Sequence, residues 1–174
     1  NQALYADINI NKIDDLKALY PNAKALPLTK SYRSTFEIMK LAAKILGDDE
    51  PDSFLRSGEP PTILHGDFVT ETLKILGALS SDYNTVGILF STNSEAKNFY
   101  SAFKKNFPKE NTPRPLKFIS DENGNFGAGI MIMAAPFAKG LEFDIVIACG
   151  ISSASKKLQY LICTRALHKL FLIC

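Results

Sequence analysis

Net charge is nearly absent from this sequence: 20 basic side chains against 18 acidic ones leave a formal charge of +2 over 174 residues. So small an excess gives no argument for a nucleic-acid surface from charge alone, and any basic binding surface has to be local. Long apolar runs are missing too. Runs such as Ile145 to Cys149 and Leu170 to Cys174 fall far below the roughly 20 residues that span a bilayer, so no membrane span is expected. Cysteine is scarce: residues 149, 163 and 174 form no C-x-x-C pair and each sits among apolar neighbours, which fits buried thiols of a reducing, cytoplasmic compartment. The start lacks a basic segment followed by an apolar run, so no signal peptide is expected, and a first residue other than Met suggests a fragment. Apolar residues at 46% and charged residues at 22% are ordinary for a folded soluble protein, and the length suits one domain.

What is present is an alternation of short apolar runs with helix-length segments, the pattern of an α/β domain with a mostly parallel sheet. Strands are expected at Ala25 to Thr29, Thr62 to His65, Thr85 to Phe90, Leu116 to Ile119, Ile130 to Ala134, Phe143 to Ala148 and Leu170 to Cys174. Ser34 or Thr35 can cap a helix with Ile38, Leu41, Ala42 and Ile45 on one face, ending at Gly47. Further helices are expected from about Val69 to Leu79, with Leu73, Leu76 and Ala78 turned inward, after Ser91 to Ser94, and over Lys157 to Ala166. In the helix after Ser91 to Ser94, Ala96, Phe99, Tyr100 and Phe103 recur at helical spacing and read as packing rather than a base-stacking platform. Gly124, Gly127 and Gly129 read as a hairpin turn between two strands. Lys104, Lys105 and Lys109 read as solvated surface, and the separation of His65 from His168 argues against zinc.

Three segments carry candidate chemistry. Lys139-Gly140-Leu141-Glu142-Phe143-Asp144 falls between the last strands, near the strand ends where open α/β sheets take ligands. Gly140 lets backbone approach a ligand, and Glu142 offers an acceptor suited to a ribose hydroxyl. A solvated turn is the plainer reading. Tyr32-Arg33-Ser34 sets an aromatic face and a guanidinium fork before a helix, suited to a base and to phosphate oxygens, or merely exposed around a cap. Arg165 ends an apolar helix, where its charge must reach solvent or meet an anion.

In this order, Tyr32-Arg33-Ser34, Lys139 to Asp144 and Cys163-Thr164-Arg165-Ala166 resemble motifs IV, V and VI of the UvrD/Rep class of superfamily 1 helicases. Asn1-Gln2-Ala3-Leu4-Tyr5 is similar to the tail of that family's motif III. The resemblance implies a RecA-like domain of the P-loop NTPase type, with helices on both faces of the sheet. Residues 1–24 would be a remnant of motif III and a linker, and 25–174 the C-terminal motor domain. It implies ATP in a cleft shared with an N-terminal RecA-like domain of the same protein, Mg2+ held mainly by that other domain, and single-stranded DNA as a partner. By matching position, Tyr32 would stack on adenine, Glu142 would bind the ribose with Gly140 beside it, and Arg33 and Arg165 would reach the γ-phosphate. Gln2 would couple the phosphate to the nucleic-acid path.

No G-x-x-x-x-G-K-[ST] loop occurs, so nothing here cradles the α- and β-phosphates, and the chain alone is expected to be inactive. Where many relatives place Thr-x-His to grip a strand, this chain has Ala134 and Pro136. The run from Ala135 to Asp144, followed by Cys163 to His168, resembles the HelD branch, whose members act on RNA polymerase.

Overall fold

The computed structural model describes residues 17, 19–22, 24, 33–49, 56–107, 114–121, 124 and 126–174. The strand expected at Ala25 to Thr29, together with Gln2, Tyr32 and Lys109, lies outside the described residues.

Strands β1 (Thr62–Leu64), β2 (Thr85–Phe90), β3 (Leu116–Ile119), β4 (Gly129–Ala134), β5 (Phe143–Cys149) and β6 (Ala166–Ile173) form one sheet in the order β1-β6-β5-β2-β4-β3. Every pairing is parallel. Helices α1 (Phe36–Leu46), α2 (Phe68–Ala78), α3 (Asn93–Asn106) and α4 (Lys156–Cys163) cover both faces. Along β5 the side chains alternate: Val146 and Ala148 join the core under α1 and α4, whereas Ile145, Ile147 and Cys149 join the core under α2 and α3. A strand buried on both faces reads as an unbroken apolar run, which is why β5 stands out in the sequence.

Local chemistry sets most helix ends. Asp67 and Ser155 accept from the backbone N–H groups of Thr70 and Leu158, and Thr92 with Glu95 forms a reciprocal capping box at α3. At Gly47 the backbone turns left-handed, φ 82°, and closes α1. Thr35 caps α1 without a side-chain bond; the first N–H, that of Phe36, goes instead to the carbonyl of Arg56 at 3.0 Å.

Four expectations need correction. Because β3 and β4 run parallel, the glycines between them lie on a connection that returns to the opposite edge, and no hairpin forms. On α2 the buried residues are Thr72 and Ile75; Leu73 and Leu76 are half-buried and Ala78 is exposed. The last helix stops at Cys163 because the chain must straighten into β6 from Ala166, four residues before the expected strand. Cys174 is exposed, unlike buried Cys149 and Cys163. On α3, Phe99 and Phe103 are buried, and half-buried Tyr100 stacks on Phe118. Among the described residues no helix is long and apolar enough to cross a membrane.

Candidate functional site

Arg33, Glu142 and Arg165 come together although they are far apart in sequence. Glu142 directly precedes β5 and Arg165 directly precedes β6, two neighbouring parallel strands, so both stand at the amino edge of the sheet. Arg33 enters from the segment before α1, and its Nε is ion-paired with Glu142 Oε1. This edge is the opposite of the one where open α/β sheets usually take ligands, so the expectation placing Lys139 to Asp144 there is corrected. Ala134 and Pro136 do lie at the carboxyl end, one closing β4 and the other in the 3-10 turn Ala135–Ala138. Residues 135–142 therefore carry the chain from one edge of the sheet to the other.

Several contacts fix Glu142. The Phe143 ring after it is buried and packs so closely on Gly87 of β2 that a Cβ there would stand 2.8 Å from the ring. The N–H of Phe143 donates to the carbonyl of Arg165 at 2.9 Å, while Arg165 Nη1 donates to the carbonyl of Leu141 at 3.1 Å. These two bonds clasp residues 141–143 to Arg165. Gly140 has φ 85°, a left-handed conformation that other residues adopt at a cost, and its Cα faces open space.

Arg165 does not reach solvent and, among the described residues, forms no ion pair, the two outcomes expected of it. Only 2% of its surface is exposed, and its Nε donates to the carbonyl of Leu161 at 3.2 Å, inside the last turn of α4. A cation at a helix C-terminus is stabilised by the carbonyls left unpaired there, which explains how the charge is tolerated. Burial lowers its pKa and the nearby Arg33 charge lowers it further, against the opposing pull of Glu142 and Tyr160. Two guanidinium groups thus lie near one carboxylate, which is ion-paired with Arg33 alone, an arrangement that a further anion would relieve.

Asp144 belongs to the fold rather than to this cluster. Its Oδ2 accepts from the N–H groups of Asn84 and Thr85, at 2.8 and 2.9 Å, and locks the start of β5 to β2. Sequence reasoning missed Arg56, which contacts the carbonyl of Arg33, and Glu37, which holds the loop behind it. Arg56 sits in a polar stretch without periodicity, and Glu37 reads as an ordinary acidic residue in the first turn of α1, so no pattern marks either as a contact.

The chain matches no protein-family model and no curated protein. Among solved structures it is similar to the C-terminal domain of a possible DNA helicase from Lactobacillus plantarum WCFS1, at 26% identity and a TM-score of 0.64. The match covers 83% of this chain and 88% of that one. With its single parallel sheet layered between helices, the chain has a RecA-like α/β fold.

Proposed function

We propose that this chain is the C-terminal RecA-like domain of an ATP-dependent DNA helicase of the UvrD-like superfamily 1 class, acting on ATP bound at a cleft with a second domain. The observation that carries this reading is the convergence of Arg33, Glu142 and Arg165 on one edge. It is supported by the likeness to a possible DNA helicase's C-terminal domain. Two cations beside one carboxylate suit a γ-phosphate: Arg33 is half-exposed and can swing from Glu142 to phosphate oxygens, and Arg165 supplies a fixed charge behind it. Glu142, once released, offers its carboxylate to ribose hydroxyls. Tyr32, next to Arg33 in sequence, would stack on the base, and Gln2 would link phosphate to the strand path. Mg2+ and the α- and β-phosphates would be held by the other domain, since this chain has no phosphate-cradling loop. Hydrolysis would then depend on closure of the two domains, because cations placed where charge develops act only when the cleft is shut.

A specific observation favours a second reading. At the carboxyl end of β4 stand buried Ala134 and, in the turn after it, Pro136, neither with a side chain able to donate to a phosphate, and this suits a HelD-like factor that acts on RNA polymerase with little unwinding.

The test is magnesium-dependent phosphate release by the 174-residue chain and by the full-length protein. Release only from the full-length protein supports the shared cleft. Release above background from the chain alone contradicts it.

A further inference from the structure

We infer that Arg56 is a positioning residue for Arg33, holding the entry to α1 in the geometry that the phosphate site needs; the inference rests on the nucleotide reading above. Arg56 joins three separate segments. Its Nη2 donates to the carbonyls of Arg33, at 3.3 Å, and of Leu167. Its Nη1 lies 3.0 Å from His168 Nδ1, which must accept because a guanidinium can only donate. Its own carbonyl takes the Phe36 N–H that opens α1.

The residues after it complete a clamp. Ser57 Oγ and the Gly58 N–H donate to the two oxygens of Glu37, both at 2.7 Å, and Glu59 pairs with Lys169 at 2.7 Å. Residues 56–59 therefore stitch the first turn of α1 to β6, the strand that Arg165 precedes. The need for such a clamp follows from Arg33 itself. Its side chain is 48% exposed and ion-paired with Glu142, so the direction it takes is set by the backbone of residues 33–36. Arg56 holds that backbone through the Arg33 carbonyl and the Phe36 N–H. It acts through Arg33, and displacement of a reacting group by about 1 Å is enough to slow catalysis roughly a hundredfold.

The experiment is a double-mutant cycle in the full-length protein with Arg56→Ala, Arg33→Ala and both together, read as kcat and nucleotide affinity, alongside amide hydrogen exchange over residues 33–36. Arg56→Ala is expected to lower kcat about tenfold with affinity unchanged, to add nothing once Arg33 is gone, and to speed exchange over 33–36. Arg56→Lys, which restores one donor, should recover part of the rate. An unchanged kcat in Arg56→Ala, or losses that add to those of Arg33→Ala as a purely structural role would give, overturns the inference. If Arg33→Ala itself leaves kcat unchanged, the nucleotide reading fails instead, and exchange decides the role of Arg56: faster exchange upholds it and unchanged exchange overturns it.

Discussion

Asp144 and Thr85 bind each other reciprocally at the amino edge of the sheet. The N–H and Oγ1–H of Thr85 donate to Asp144 Oδ2 at 2.9 and 3.1 Å, and the Asp144 N–H donates back to Thr85 Oγ1 at 2.8 Å. Two residues after Glu142, this exchange anchors β5 to the central strand. Asp144→Ala strands the donors of Asn84 and Thr85 and should destabilise the fold by about 2–3 kcal/mol, since hydrogen bonds to a charged group are the strong ones. Asp144→Asn keeps an acceptor oxygen and should lose less. Chemical denaturation of the wild type and the two variants checks this; wild-type stability in Asp144→Ala would show that the carboxylate is not the anchor.

Gly58 is required by crowding. A Cβ on it would stand 2.4 Å from Thr35 Cγ2, so Gly58→Ala must lift the loop off α1 at a cost on the order of 1–3 kcal/mol. Lifting the loop also withdraws Ser57 and Gly58 from Glu37, whose pKa they hold below the usual carboxylate value, the Ser57 hydroxyl most of all. A lowered pKa means stability that is present above the unfolded-state value and lost as pH falls through the folded one. Urea midpoints measured from neutral to acid pH should therefore fall more steeply for the wild type than for Gly58→Ala. Parallel curves would contradict the Glu37 clamp.

The thiols should divide sharply. Burial pushes Cys149 and Cys163 up to about 12, whereas Cys174 is exposed beside Ser152 Oγ at 3.4 Å. Alkylation at about pH 8 followed by peptide mapping should label Cys174 and leave the other two protected until the domain unfolds, because the thiolate is the nucleophile. The raised values also mean that these two thiols support folding below their ordinary pKa of about 9, and that this support is lost as pH climbs toward 12. Labelling of Cys149 in the folded protein would contradict the packing described.

How far the sequence revealed this arrangement depended on the kind of signal. β2, β4 and β5 are apolar runs buried on both faces, and the Gly47 stop and the cap within Ser91 to Ser94 are local chemistry, so these were legible, although the pairing of Thr92 with Glu95 in that cap was not read. The order of strands was not, because parallel pairing brings together residues that no local pattern relates; hence the hairpin expected between β3 and β4. Within the site, Arg33, Glu142 and Arg165 stood out through motif wording, but the burial of Arg165 against the carbonyls of Leu141 and Leu161 did not. A sequence shows that a charge must be compensated, and here backbone oxygens compensate it.

Ala134 and Pro136 bear on the strand path. Phosphate contacts supply most non-specific nucleic-acid affinity, and these two side chains offer no donor, so the full-length protein should bind single strands weakly. Its ATPase should respond little to single-stranded DNA titrated in at about physiological salt. Little response together with co-purifying RNA polymerase favours the HelD-like reading; strong stimulation with strand separation returns the protein to ordinary helicases.

The most direct measurement is the pre-steady-state hydrolysis rate and the nucleotide affinity of the full-length protein with Arg165 or Arg33 replaced by Ala, each variant first shown to melt as a folded protein. Groups that act on charge developing in the transition state affect rate rather than ground-state binding, and an arginine of this kind contributes roughly a thousandfold or more. Arg165→Ala and Arg33→Ala should each lower the rate by about that scale while changing affinity only a few-fold. Hydrolysis at the wild-type rate in both folded variants would contradict a phosphate site at the edge where Arg33, Glu142 and Arg165 meet.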